Sequence, residues 1–146
     1  MRTFKSLLVL LIGLTALMYA LQNLSNVGEM RGQMEVLRPP PNSPALAWTG
    51  FALIVLCQLA IVAAAGKGAW DLFAARKGSA EEFRQAKTPA VWAGALSLLL
   101  WFAMSLFVGA GLFQWGTDSG TIALAKAFSF ATTSALTILF VWGTTD

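Results

Sequence analysis

Any chemistry in this chain has to come from a short set of side chains. The 146 residues include no histidine and a single cysteine, Cys57. Those two counts exclude a bis-histidine haem, a zincin motif, a Ser-His-Asp triad, an intrachain disulfide, a cysteine zinc site and an iron–sulfur cluster. What remains are polar groups set within long apolar runs, where a polar side chain is costly and is the usual functional candidate. Lys126 is the clear charge in such a run, about one turn from its outer end. Its stem can pack in lipid while the ammonium reaches the surface, where Asp118, Glu29 or Glu35 could meet it. The alternative is a cationic site for an anionic ligand or lipid headgroup. Gln58, next to Cys57 near the middle of its run, is expected to bond across to another helix. Thr132, Thr133 and Ser134 lie at mid-depth and can bond back to carbonyls one turn earlier. Together with Gln58 they could instead line a ligand path.

The catalytic inventory is otherwise empty. No paired carboxylates fall within an apolar run, and no glycine-rich phosphate loop follows a strand. Glu81 and Glu82 belong to a capped surface helix and read as solvated. No Asp or Glu lies near mid-membrane, where a proton-coupled transporter would normally carry one. The chain is therefore expected not to be an enzyme, and no catalytic residue, cofactor or metal ligand is assigned to it.

The elements that must position these groups follow from composition. The chain is 57% hydrophobic and 12% charged, with a mean hydropathy of +0.67. Soluble domains run nearer a quarter charged. A transmembrane helix needs about 20 apolar residues to cross roughly 30 Å of hydrocarbon, so four would use about 80. The pattern predicts an all-α integral membrane four-helix bundle as a single domain, with spans over 7–24, 45–65, 90–113 and 122–142. None alternates like a barrel strand. The first run resembles a signal peptide, but Met18 and Ala20 do not make a small-x-small cleavage site, so it is expected to be retained. Ser43-Pro44 and Thr88-Pro89 read as helix openings, with the hydroxyl as cap and proline in the first turn. Gln22, Asn23 and Asn26 cluster at the outer end of the first span, and Asn26 is expected to end it in the left-handed cap conformation. The glycosylation triplet Asn23-Leu24-Ser25 lies too near the membrane to be a good acceptor.

Charge then orients the bundle. Arg2, Lys5, Lys67, Arg76, Lys77, Arg84 and Lys87 put seven of the ten basic residues on one side. The positive-inside rule predicts that both termini and the second loop are cytoplasmic. The net charge of +3 thus reflects orientation rather than nucleic-acid binding. Trp48 and Trp115 fall at outer span ends and Trp70, Trp92 and Trp142 near inner ends, the headgroup depth that indole prefers. Only Trp101 sits at mid-span. Ser79-Ala80-Glu81-Glu82 fits a capping box, which predicts a short cytoplasmic helix over 80–87 with Phe83 as its anchor toward the bilayer or the bundle. In the outer loop, Pro39-Pro40-Pro41 should be extended and stiff.

Membrane helices associate mainly by close packing of small residues. Ala123, Ala127, Ala131 and Ala135 recur every four residues in the fourth helix. The third carries Ala93, Ser97, Ser105 and Gly109, with Trp101 interrupting the ladder. The second carries Ala60, Ala64 and Gly68. The third and fourth helices are therefore expected to pack closely.

Several short motifs occur together: Gln22-Asn23-Leu24-Ser25-Asn26 after the first helix, and Phe83-Arg84-Gln85-Ala86-Lys87 in the basic loop. Leu100-Trp101-Phe102 follows within the third helix, and Gly111-Leu112-Phe113-Gln114-Trp115 closes it. In this the chain resembles the bacterial predicted small integral membrane proteins catalogued as domain of unknown function 2165, over nearly its whole length. The resemblance implies a four-helix protein of the bacterial inner membrane and carries over no activity. The expected role is a non-enzymatic accessory or assembly subunit that packs against other membrane subunits or itself as well as lipid. Its docking elements would be the outer loop, Phe83 with its helix, and Trp101. The alternative is a small transporter, channel or lipid-binding protein, which requires a continuous polar cavity joining Gln58 to the Thr132–Ser134 cluster, with Lys126 at its mouth.

Overall fold

The structure, a computed structural model, describes residues 1–29, 44–104 and 118–144. Among these, all regular structure is helical. Helix α1 is Arg2–Ser25. Helix α2 is Pro44–Ala74 and runs into a 3-10 turn, Ala75–Lys77. A short helix α3, Ala80–Gln85, leads through Ala86 into α4, Lys87–Ala103. Helix α5 is Asp118–Gly143. Among the described residues, four helical segments are long and apolar enough to cross a membrane: Arg2–Ser25, Trp48–Lys77, Ala80–Ala103 and Leu124–Gly143.

The helices pack mainly in chain order, α1 on α2, α2 on α4 and α4 on α5. In α1 the buried positions are Lys5, Ser6, Val9, Ile12, Gly13, Ala16 and Ala20, spaced by three and four as a helix seam requires. At each pairing a glycine lets the backbones approach. A Cβ on Gly13 would stand 2.8 Å from the Cβ of Ala65, and one on Gly68 would stand 2.6 Å from the Ala90 nitrogen. A Cβ on Gly94 would collide with Ile138. With no hydrophobic drive between helices in lipid, this contact is what holds them.

The second helix runs nine residues past the end of its expected span, since 66–74 is helical rather than loop. Gly66 and Gly68 do not break it. An ion pair of 2.6 Å between Lys67 and Asp71, one turn apart, supports the extension, and the bare face of Gly68 is used against α4. The opening of α4 also differs from the expectation. Its cap is Ala86, with no side-chain bond, so Thr88 does not cap it. Helix α3 already delivers the chain into α4, and Pro89 sits in the first turn, where it is tolerated. Asn26 does end α1, but at φ −111° and ψ 31° rather than left-handed, with its N–H on the Gln22 carbonyl. Ser43, Pro39 to Pro41 and Trp115 lie outside the described residues.

One end of the bundle gathers both chain ends and the basic loop. The Lys5 ammonium donates to the Thr144 carbonyl at 3.0 Å, and Arg2 donates to the Gly78 carbonyl at 2.7 Å. The Ser79 capping box forms: Glu82 N–H donates to Ser79 Oγ at 3.2 Å and Ser79 N–H to Glu82 Oε2 at 2.7 Å. It turns Phe83 inward until it is fully buried with Val9, Leu72 and Val141. Just inside this end Trp70, Trp92 and Trp142 are 70%, 63% and 62% exposed, an outward-facing set.

Candidate functional site

The polar side chains of the spans fall into separate seams. Gln58 is buried on α2, and its Oε1 accepts from Asn23 Nδ2 of α1 at 3.1 Å. Asn23 stands two residues before the end of α1 and Gln58 midway along α2, so the bond ties the outer end of α1 to the middle of the longer helix. Cys57 beside it is half-buried against Ile12, Ala16 and Ile61. Near the basic end the same α1–α2 seam holds a second tie, Ser6 Oγ donating to the Ala69 carbonyl at 2.6 Å.

The α4–α5 seam has its own tie. The buried hydroxyls of Ser97 and Ser134 share a hydrogen bond of 2.8 Å. Thr132 and Thr133 do not join it. Both are exposed and bond back along α5, to the Phe128 and Ser129 carbonyls at 2.9 and 2.8 Å. Successive residues on a helix point about 100° apart, so a run of three hydroxyls cannot share one face. Lys126 is exposed as well. The structure therefore brings Gln58 to Asn23 and Ser134 to Ser97, and does not bring either pair to Thr132, Thr133 or Lys126.

The small-residue stripes are partly in use. Ala127 and Ala131 are buried against Trp101, and Ala135 is half-buried. Ser97 and Ala93 are buried on the facing side of α4. Ser105 and Gly109 lie outside the described residues, as does the side chain of Ala123. On α2, Gly68 is buried but Ala60 is exposed.

Two expected docking side chains are corrected. Trp101 is 8% exposed and Phe83 0%, so neither forms a surface. Trp101 fills the space that alanines leave on α5. Its ring lies 4.9 Å from both Tyr19 of α1 and Phe130 of α5, with Tyr19 and Phe130 5.4 Å apart, so three helices meet on one aromatic cluster. Phe83 is covered by cations. Arg2, Lys5 and Lys87 place their charges 4.8, 5.7 and 5.8 Å from its ring centroid, within reach of cation–π attraction. The anchor therefore points into the bundle.

Several residues that carry these contacts gave weaker signals in the sequence. Asn23 read as part of an end cluster, and Ser6, Gly13 and Ala20 repeat every seven rather than every four. Tyr19 and Phe130 are aromatic residues in aromatic-rich runs, and only the packing singles them out. Among the described residues no three Cys, Asp or Glu side chains group as a metal site.

A family model described as predicted small integral membrane protein (DUF2165) matches residues 41–143. The match takes in α2 through α5 and leaves α1 outside it. No curated protein and no solved structure matches the chain.

Proposed function

Because the chain belongs to the family of predicted small integral membrane proteins (DUF2165), we propose that it is a non-enzymatic accessory or assembly subunit of the bacterial inner membrane. In this reading both termini and the basic loop face the cytoplasm, and the protein works by packing against other membrane proteins. The observation that carries it is how the intramembrane polar groups are spent. Gln58 and Asn23 bond to one another across helices, and so do Ser97 and Ser134. Each of these pairs ties two helices of this chain together. Interhelical hydrogen bonds of this kind hold a bundle in shape, and a bundle held from within presents its outer faces as fixed surfaces.

The transporter, channel or lipid-binding alternative requires those groups in one path. Their separation between the α1–α2 seam, the α4–α5 seam and the exterior of α5 favours the packing reading. Orientation is supported by the clustering of Arg2, Lys5, Arg76, Lys77, Arg84 and Lys87 at one end, with the exposed tryptophans just inside it.

Solubilisation of native membranes in a mild detergent tests the proposal. The chain is expected to migrate with a defined set of membrane subunits, in constant ratio across size exclusion and a second separation. A monodisperse solitary 15.6 kDa chain in its detergent belt would overturn it.

A further inference from the structure

One outward face of α5 differs from the rest of the exterior. Elsewhere the exposed positions away from the span ends are apolar, some small, as with Ala52, Ala60 and Ala63, and many large, as with Leu11, Met18, Leu56 and Leu99 at 57%, 72%, 62% and 63% exposure. On α5, Lys126, Ser129, Thr132 and Thr133 are all exposed, with Phe128 beside them. Ser129 lies three residues from Lys126 and from Thr132 and four from Thr133, the neighbour spacings on a helix surface, so the four form a continuous patch. Ser129 donates to the Ala125 carbonyl at 2.8 Å, and Thr132 and Thr133 likewise donate one turn back. With their protons satisfied within the helix, the hydroxyls leave a low, polar surface. Acyl chains gain little from such a surface, whereas a neighbouring helix can approach it closely and bond to it. Lys126, two turns from the start of α5, is exposed and makes no hydrogen bond or ion pair among the described residues.

We propose that Lys126, Ser129, Thr132 and Thr133 form the docking face for a transmembrane helix of a different polypeptide, one that carries an Asp or Glu at the depth of Lys126. The proposal rests on the accessory-subunit reading and names the face through which it acts. The hydroxyls admit the helix, and the ammonium selects it by charge. A second copy does not fit the same place. All copies share one orientation in the membrane, so two α5 helices across a two-fold axis would run parallel and set Lys126 beside Lys126. Like charges in a low-dielectric setting repel. A lipid headgroup would answer Lys126 but would leave the three hydroxyls against acyl chains.

The test uses the full chain in native membranes, with a photo-crosslinking side chain in place of Ser129 or, in a second variant, of Leu99 on the exterior of α4. Ser129 is expected to yield an adduct with one polypeptide, mapped to a membrane helix bearing an acidic residue, and Leu99 is not. Lys126→Glu should lower that adduct by about tenfold or more, as breaking a desolvated charge pair implies. Changing the partner's acid to lysine should restore it, which a misfolded variant could not do. Adducts at Ser129 with lipid alone, or with a second copy of this chain, overturn the proposal. If the wild-type protein still travels with its partner in that case, the docking face has failed and the accessory reading stands. If the wild-type chain is solitary, both fall.

Discussion

Gly66 and Gly68 stand two residues apart on α2 and carry opposite expectations. A Cβ on Gly68 would press on the backbone of Ala90, at 2.6 Å from its nitrogen and 2.7 Å from its Cα, whereas a Cβ on Gly66 would meet nothing within 4 Å. Backbone cannot yield as a side-chain tip can. Gly68→Ala should therefore cost about 1–3 kcal/mol, the usual range for overpacking. Gly66→Ala should be neutral or gain up to about 1 kcal/mol from helix propensity. Thermal unfolding of the two variants in one detergent checks the pair, and equal losses would remove the close α2–α4 approach. The hydroxyl and amide ties belong to the same scale. A double-mutant cycle on Ser97→Ala and Ser134→Ala should give a coupling of about 0.6 kcal/mol, typical of interhelical bonds in membranes. The corresponding cycle on Asn23→Leu and Gln58→Leu should fall in the same range, and no coupling in either cycle would mean that the bond does not form. Gln58 was legible in the sequence as a group in need of a partner. Its partner was not, because nothing in a linear sequence says which level of α1 meets which level of α2. Thr132, Thr133 and Ser134 show the converse limit. They are adjacent in sequence, yet helical rotation sends Ser134 into the core and the other two outside.

At the scale of elements, the Ser79 capping box forms as its four residues predict, whereas Asn26 ends α1 without the left-handed conformation expected of it. A cap placed one turn before an aromatic residue turns Phe83 into the bundle, where the expectation left it between the bilayer, the bundle and a docking surface. Ser79→Ala should cost α3 about 1 kcal/mol, the usual loss for a serine cap. The effect should stay local, seen as faster amide exchange over 80–85 while exchange in the middle of α2 is unchanged. Uniform acceleration through the whole bundle would show instead that α3 holds the helices together. Signals that depend on packing were read less well. The apolar run of α2 stops at residue 65, where Gly66-Lys67-Gly68 begins, yet the helix continues to Ala74. Gly68 serves a neighbouring helix there and Lys67 pairs with Asp71. Thr88 has the composition of a cap but enters α4 already inside a turn prepared by α3. The alanine stripe of α5 was legible as a packing face. What it packs against, the Trp101 ring, looked in the sequence like an interruption of the opposite ladder. A large ring and a row of small residues are complementary shapes, and a search for matching small residues on both helices passes over that solution.

For the whole molecule, the number of spans follows from hydropathy alone, because hydrocarbon thickness sets the length of any helix that crosses it. Orientation is a separate question, decided by where the positive charges lie. The structure sharpens it by tying Lys5 to Thr144 and Arg2 to Gly78, so the chain ends and the basic loop sit at one end and must lie on one side of the membrane together. The positive-inside rule then predicts that this side is the cytoplasm. Cys57 is half-buried and can be replaced by serine to give a background without thiols. In that background a single cysteine at Lys77, exposed beyond the end of α2, should resist a membrane-impermeant maleimide in intact spheroplasts and react once the membrane is opened. A cysteine at Glu29, exposed beyond the end of α1, should react in intact spheroplasts. Reaction at Lys77 without opening the membrane would reverse the assignment for both termini at once, because the contacts allow them no independent placement. The same logic sets the effect of charge. Neutralising Arg76, Lys77 and Arg84 together should produce a mixed population, labelled at both positions in intact cells, whereas neutralising Lys126 alone should leave the pattern unchanged. Charges in the short segments flanking the spans set topology, and a single lysine within a span contributes little to that balance.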